Sequence, residues 1–175
     1  DYDHPFTGML DGNGHKIKGY TYTSSEEWID EVALFAWTKN ATFKNLSMTD
    51  VNISLNQAGS VAALAAASEN CKFSNISISG KITGKLLRQA AGVAAYNEES
   101  SMTGCKNSAD ITITNASEES RAAGVAGSGT SMKNCTNSGK ISISGNIREG
   151  GFYVAGIANR IDKATACRNS GAVTV

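Results

Sequence analysis

Hydrophobic residues recur along this chain in short runs that alternate with Ser, Thr and Asn. The segments "NLSMT", "NISIS" and "DITIT" each place an apolar residue at every second position. Alternation with a period of two predicts strands with one buried face. Short runs of this kind, separated by Gly- and Asn-rich turns, are typical of all-β proteins. We therefore predict an all-β fold.

One segment of this pattern occurs five times without a gap. Its copies begin at Phe43, Phe73, Met102, Met132 and Ala164, in steps of 30, 29, 30 and 32 residues. A second apolar block precedes each copy by seven to nine residues, centred on Phe35, Leu64, Val93, Val125 and Ile157. A unit of this size cannot bury its own apolar face, so the units must stack. The sequence predicts a parallel β-solenoid, or β-helix, of about five coils with a repeat of about 30 residues.

Stacking of the repeats places equivalent side chains in columns, about 4.8 Å apart along the axis. Two columns hold only apolar or thiol side chains and are predicted to lie inside: Phe43, Phe73, Met102, Met132 and Ala164 form one, and Leu46, Ile76, Cys105, Cys135 and Cys167 form the other. A third column, predicted at a corner, consists of Asn107, Asn137 and Asn169. Stacked Asn side chains can hydrogen-bond to one another along the axis.

The repeats together form one continuous domain. Residues 1–40 form the first coil and a capping segment, and four further repeats cover 41–70, 71–99, 100–129 and 130–161. A truncated last coil covers 162–175. The chain lacks an initiator Met and ends on half of a strand pattern, so we expect it to be part of a larger chain.

Two motifs in the repeats carry a resemblance to a known family. Gly124-Val125-Ala126-Gly127 and Asn134-Cys135 resemble the GLUG-motif repeats of bacterial secreted and cell-surface proteins, and the resemblance extends over residues 6–175. Ala95 and Asn159 replace the final Gly of the first motif in two other copies. The resemblance implies an adhesin-like protein on the bacterial surface, with no catalytic residue in the repeat itself.

Composition narrows the range of partners. Sixteen basic and sixteen acidic residues give a formal net charge of zero, which disfavours nucleic acid as a partner. No apolar stretch approaches the roughly 20 residues that a membrane helix needs, so direct membrane insertion is not expected. Closely spaced glycosylation sequons make a eukaryotic secretory origin awkward and favour a bacterial source. Secretion or display on the cell surface is the predicted localisation.

The four cysteines predict a ladder of free thiols. Cys105, Cys135 and Cys167 are a whole coil apart, whereas zinc ligands usually come in pairs two to four residues apart. Buried Cys behaves as a small apolar residue. Cys71 is out of register with the other three, and its pairing stays open at this stage. We predict no metal site and no cofactor.

Four aromatic residues are candidates for ligand contact: Trp28, Tyr96, Phe152 and Tyr153. Aromatic rings can stack on sugar rings, and outward rows of Ser and Thr offer a regular polar surface beside them. Trp28 lies in the longest insertion, residues 24–31, which makes that loop the leading candidate for recognition. A role for Trp28 as a cap on the first coil is an equal alternative.

The leading functional hypothesis is a non-catalytic module for cell-surface adhesion, or a spacer, that contacts carbohydrate or a host or bacterial surface protein. The alternative is a carbohydrate-active β-helix enzyme or a scaffold for a neighbouring catalytic domain. An enzyme of this kind needs carboxylates that converge from adjacent coils. Glu98-Glu99 and Glu118-Glu119 lie on opposite sides of their repeat blocks, so we predict no convergence and no catalytic residue. Arg88 and Arg121 precede successive blocks and are candidates for stacking.

Overall fold

The described residues form twenty strands joined by short turns and bends. The computed structural model describes residues 2–117, 119–146 and 151–175. The first nine strands are Met9–Asp11 (β1), Lys16–Lys18 (β2), Thr21–Ser24 (β3), Ile29–Val32 (β4), Phe35–Lys39 (β5), Thr42–Ala62 (β6), Ala65–Glu69 (β7), Lys72–Ala91 (β8) and Ala94–Glu98 (β9). The remaining strands are Ser101–Thr103 (β10), Lys106–Asn107 (β11), Asp110–Ile113 (β12), Arg121–Ala123 (β13), Ala126–Lys133 (β14), Thr136–Asn137 (β15), Ile141–Ile143 (β16), Tyr153–Ala155 (β17), Ala158–Thr165 (β18), Arg168–Asn169 (β19) and Val173–Thr174 (β20).

Every strand pairs in parallel with its equivalent in the neighbouring coil. The long strand β6 pairs with β8, and β8 pairs in turn with the shorter strands β10, β11, β12 and β13 of the next coil. Partners are about 30 residues apart, which confirms the predicted parallel β-solenoid of about five turns. The described residues contain no helix long and apolar enough to cross a bilayer.

The first interior column runs the full height of the solenoid. Phe43 pairs with Phe73 and their rings stack with centroids 5.2 Å apart. Phe73 pairs in turn with Met102, and Met102 with Met132. All four side chains are at most 2% exposed. The column therefore forms the centre of the core.

The last turn departs from the predicted interior placement. Ala164 pairs with Met132 but is exposed, and Cys167 is only half-buried. Both residues keep the register of their columns, but they are not buried as the residues before them are. This turn has a neighbouring coil on one side only, so its inward side chains remain uncovered.

The asparagine column forms a continuous hydrogen-bonded ladder. Asn107 donates from Nδ2 to Oδ1 of Asn137, and Asn137 donates to Oδ1 of Asn169, each over 2.8 Å. Each amide also donates to a backbone carbonyl two residues ahead, for example Asn137 to Gly139 over 2.9 Å. Asn107 and Asn137 are 1% exposed, so the ladder satisfies buried polar groups that would otherwise lack partners.

Glycines in the bends that face this ladder make room for it. A Cβ on Gly92 would lie 2.4 Å from Oδ1 of Asn107, and a Cβ on Gly124 would lie 2.4 Å from Cγ of Asn137. Each of these glycines therefore precedes the asparagine of the following repeat, because only glycine leaves space for the amide. Met48 and Ile78 precede Asn107 in the same column. Ala63 stands at the position that Gly92 occupies one coil later.

Several corners of the coil are formed by asparagines in the left-handed region. Asn40 and Asn70 have φ of 53° and 50°, and Asn45 and Asn75 both have φ of 53°. Asparagine tolerates this conformation better than most residues with a side chain. Asn70 donates to Asn40 over 2.6 Å and Asn75 donates to Asn45 over 3.1 Å, so these corners are also tied from coil to coil.

One predicted alignment is shifted in the structure. The block centred on Phe35 was aligned with Leu64, whereas Phe35 pairs with Ala65. The ring of Phe35 instead packs against Phe43, with centroids 5.1 Å apart. The first coil differs by one residue because its bend before β5 differs in length from the bends of later coils.

Candidate functional site

A polar groove of about 610 Å³ crosses three consecutive coils on the outside of the solenoid. It lies where each coil bends between two strands, at residues 92–93, 124–125 and 156–157. Its lining residues are Gln89, Tyr96, Asn97, Glu98, Glu99, Arg121, Gly127, Ser128, Gly129, Tyr153, Asn159, Arg160 and Asp162. Residues from β8, β13 and β17 form one wall, and residues from β9, β14 and β18 form the other.

The first wall is a column of three long side chains. Arg121 pairs with Gln89 on one side and with Tyr153 on the other. The guanidinium carbon of Arg121 lies 5.1 Å from the ring centroid of Tyr153, a cation–π contact. This contact fixes an aromatic ring at the groove, where it is 55% exposed.

The second wall contains Tyr96, Ser128 and Arg160. Ala94 pairs with Ala126, which places Tyr96 beside Ser128, and Ser128 pairs with Arg160. The hydroxyl of Tyr96 donates a short hydrogen bond to Oε1 of Glu98. That hydrogen bond, followed by partial burial, raises the pKa of the Tyr96 hydroxyl above its usual value. The phenol therefore stays protonated and its ring is held in one orientation.

The floor of the groove contains a buried amide without a partner. Asn97 is 1% exposed, and neither its Nδ2 nor its Oδ1 has a hydrogen-bond partner among the described residues. Gly129 lies beside it, and a Cβ there would stand 3.2 Å from Nδ2 of Asn97. The narrow recess that Gly129 leaves beside the amide is too small for a Cβ unless the amide moves by a few tenths of an ångström.

A second glycine in the floor is required by packing. Gln89 donates from Nε2 to the backbone oxygen of Ala95 over 2.9 Å. A Cβ on Gly127 would lie 2.0 Å from that nitrogen and 2.3 Å from that oxygen. The two glycines together keep the groove open between its walls.

The groove combines both signs of charge. Glu98, Glu99 and Asp162 supply three carboxylates, and Arg121 and Arg160 supply two guanidinium groups. None of these five forms an ion pair with another described residue. Nowhere in the described ranges do three His, Cys, Asp or Glu side chains come together as metal ligands would. The arrangement can donate and accept many hydrogen bonds at once.

The four predicted ligand contacts have different positions. Tyr96 and Tyr153 both line the groove, on opposite walls. Phe152 is half-buried and packs against the core. Trp28 lies in the first coil, 46% exposed, and donates from Nε1 to Asp30 over 2.7 Å. The structure therefore brings two of the four together and separates the other two from them.

The charged residues singled out in the sequence have partners other than those expected. Arg121 pairs with Gln89, so the predicted stacking of Arg88 on Arg121 is wrong. Arg88 instead forms an exposed ion pair with Glu119, with N and O 3.5 Å apart. Glu118 lies outside the described residues. Asn97, Gly129, Arg160 and Asp162 were not identified from the sequence. The burial of Asn97 could have been inferred from its column, in which Thr38 and Ser68 precede it and Gly129 follows it.

The outward Ser and Thr residues form a complete row on another face. Thr23, Ser54, Thr83, Thr112, Ser142 and Thr174 pair in sequence from the first coil to the last. Thr83 donates its hydroxyl proton to the backbone oxygen of Ile53 over 3.1 Å, which takes up part of its bonding capacity. The row is a regular surface without aromatic residues or charge in it.

All four cysteines lie in the described part of the chain and none forms a disulfide. Cys71 is buried away from the thiol ladder and contacts the hydroxyl of Thr38, with S and O 3.4 Å apart. Contact with Cys135, followed by burial, raises the pKa of the Cys105 thiol well above its ordinary value. The same contact lowers the pKa of the Cys135 thiol to about 7. Both thiols are buried, so they pack in the core as small side chains.

Comparisons of the chain with family models, with curated proteins and with solved structures found no significant match.

Proposed function

We propose that this chain is a non-catalytic interaction module of a secreted or cell-surface bacterial protein, where it acts in adhesion or as a rigid spacer. The observation that carries the proposal is the parallel stacking of the coils, in which one interior column runs from Leu10 paired with Phe43 to Met132 paired with Ala164. Such stacking gives a stiff body whose outer surface repeats at the coil spacing.

The surface location rests on two features of the sequence. The resemblance to GLUG-motif repeats, carried by Gly124-Val125-Ala126-Gly127 and Asn134-Cys135, favours a bacterial surface protein. The balanced charge, sixteen basic against sixteen acidic residues, favours neither nucleic acid nor an acidic membrane as partner.

The non-catalytic character is supported by the chemistry of the groove. General acid–base catalysis needs a positioned group with a pKa near the working pH, and histidine is its commonest form. The two histidines of the chain, His4 and His15, precede the second coil and do not line the groove. Ser128 lies in the second wall, and its hydroxyl hydrogen-bonds to the backbone nitrogen and oxygen of Asn97 rather than to a base.

An array of host and bacterial glycans and surface proteins tests the proposal. The purified chain is incubated with the array, and bound protein and released reducing ends are scored together. We expect binding without release for an adhesion module, and neither signal for a pure spacer. Release of reducing ends above a heat-denatured control would contradict a non-catalytic function.

A second candidate, a carbohydrate-active enzyme, is favoured by one observation. Glu98, Glu99 and Asp162 come from two coils and line the same groove, whereas convergence of carboxylates was not expected from the sequence. Most glycoside hydrolases use two carboxylates that flank the scissile glycosidic bond. For this candidate, Glu98→Gln and Asp162→Asn would each abolish release of reducing ends while leaving binding in place.

A further inference from the structure

We infer that the groove between Tyr96 and Tyr153 binds a neutral oligosaccharide, with sugar rings against the two tyrosines and one polar substituent hydrogen-bonded to the amide of Asn97. This inference rests on the proposed function, an interaction module, and adds the site and the class of ligand. It is carried by the unpartnered amide, the positions of the aromatic rings and the mixture of charges.

The amide of Asn97 is buried and has no hydrogen-bond partner among the described residues. Buried polar side chains almost always have hydrogen-bond partners, from the protein or from ordered water. In the same column, Thr38 donates to Ser68 over 3.0 Å, so the two earlier coils satisfy their polar groups internally. At Asn97 the next residue in the column is Gly129, which has no side chain to offer. An amide that both donates and accepts, with no side chain opposite it to bond, fits a ligand hydroxyl or amide group.

The aromatic rings set the size of the ligand. Tyr96 and Tyr153 belong to coils two steps apart, a separation of about 10 Å along the axis. They also lie on opposite walls of the groove. One sugar ring cannot contact both, so a ligand that uses both must contain at least two sugar units. The apolar faces of pyranose rings pack well against aromatic rings that are held in place, as both tyrosines are.

The charges of the groove favour a neutral ligand. Carboxylates only accept hydrogen bonds and guanidinium groups only donate them, whereas a sugar hydroxyl does both. Three carboxylates and two guanidinium groups line the groove, so their formal charges sum to −1. An anionic glycan would face this excess of carboxylates. A neutral glycan with neighbouring hydroxyls can use both kinds of group.

The test is a calorimetric titration of the intact chain with named tetrasaccharides. The neutral probes are the tetrasaccharides of β-1,4-glucan, β-1,4-mannan, α-1,4-glucan and chitin, and the anionic probe is tetragalacturonate. We expect at least one neutral probe to bind and tetragalacturonate to bind at least about tenfold more weakly. Tighter binding of tetragalacturonate, or no binding of any neutral probe, would overturn the inference.

Two variants locate the site, each with a matched control. Gly129→Ala fills the recess beside Asn97 and requires that amide to move by only a few tenths of an ångström. Its control is Gly151→Ala, where an added Cβ meets nothing within 4 Å. Tyr153→Ala removes one aromatic wall, and its control is Tyr22→Ala, an exposed tyrosine of the first coil. We expect each groove variant to weaken binding about tenfold and each control to leave it unchanged.

The outcomes separate this inference from the function on which it rests. If the chain binds a glycan of the array and both groove variants bind as tightly as the wild type, the groove inference is wrong and the interaction module stands. Trp28→Ala is measured alongside, because loss of binding in that variant alone would move the site to the first coil. If reducing ends are released during the titration, the proposed function fails, whatever the groove variants show. Thermal melting of each variant confirms that it is folded.

Discussion

The side-chain amide of Asn107 donates a 2.8 Å hydrogen bond to the side chain of Asn137, its equivalent one coil further along the solenoid. Both residues are 1% exposed. The bond therefore joins two coils inside the protein, at a position where neither amide has access to water.

Removing the centre of this ladder should destabilise the fold. Asn137→Ala deprives Asn107 of its acceptor and leaves the buried carbonyl of Gly139 without its donor. Leaving buried polar groups unsatisfied costs about 1–3 kcal/mol in the free energy of unfolding. Asn169→Ala is the control because Asn169 lies exposed in the last turn. Urea denaturation should show the larger loss for Asn137→Ala, and equal losses would contradict a buried ladder.

The glycine facing the ladder should not tolerate a side chain. A Cβ at Gly124 would stand 2.1 Å from the backbone oxygen of Gly156 and 2.4 Å from Cγ of Asn137. Overpacking of this kind costs about 1–3 kcal/mol or more. Gly124→Ala should lower the midpoint of thermal unfolding by several degrees, whereas Gly151→Ala should leave it unchanged. A Gly124→Ala variant as stable as the wild type would mean that the facing strands are further apart.

The cysteines should differ sharply in reactivity. Cys167 lies half-buried in the last turn, whereas Cys71, Cys105 and Cys135 are buried. Burial protects a thiol from reagents, and the raised pKa of Cys105 keeps it protonated. Treatment of the native protein with N-ethylmaleimide should label Cys167 first, and the other three only after unfolding. Peptide mass spectrometry distinguishes the sites, and rapid labelling of Cys105 or Cys135 in the native protein would contradict the buried ladder.

The pKa of Tyr96 should depend on the carboxylate of Glu98. The pKa of Tyr96 is raised chiefly because its hydroxyl donates to the Glu98 carboxylate. The stabilisation from this contact is present below the ordinary tyrosine pKa of 10.0 and is lost as the pH rises through the higher value of the folded state. Glu98→Gln should therefore lower the pKa of Tyr96. Spectrophotometric titration of tyrosinate checks this, with Tyr96→Phe identifying the signal, and an unchanged titration curve would show that the two groups do not interact.

Most of the fold was predictable because the repeat itself carries the register. Phe43, Phe73, Met102 and Met132 align in the sequence and pair in the structure, since each coil must place an apolar residue at the same inward position. The register failed at Phe35, where a bend of different length shifts the pairing by one residue. Arg88 does not pair with Arg121 because it lies one residue further from its glycine than Arg121 does. Single-residue shifts of that kind depend on local backbone geometry, which an alignment of short motifs does not resolve.

The candidate site was only partly predictable. Tyr96 and Tyr153 were identified as exposed aromatics, but their meeting across a groove depends on how each coil bends between its two strands. Asn97 follows Tyr96 in a polar stretch and looks like a surface residue. Its burial follows from the column of Thr38 and Ser68 in which it stands. Trp28 ranked highest as a recognition residue because of its insertion, and the structure places it away from the groove.

The central claim, on which every functional statement depends, is that equivalent residues stack in columns at a constant spacing. Pulsed electron paramagnetic resonance between spin labels in the outward row tests it directly. In a Cys167→Ser background, the pair Thr83→Cys and Thr174→Cys spans three coil steps, about 14 Å between backbones, and the pair Thr23→Cys and Thr174→Cys spans five, about 24 Å. The account predicts that the second distance exceeds the first by about 10 Å. Equal distances, or a longer distance for the first pair, would contradict the solenoid.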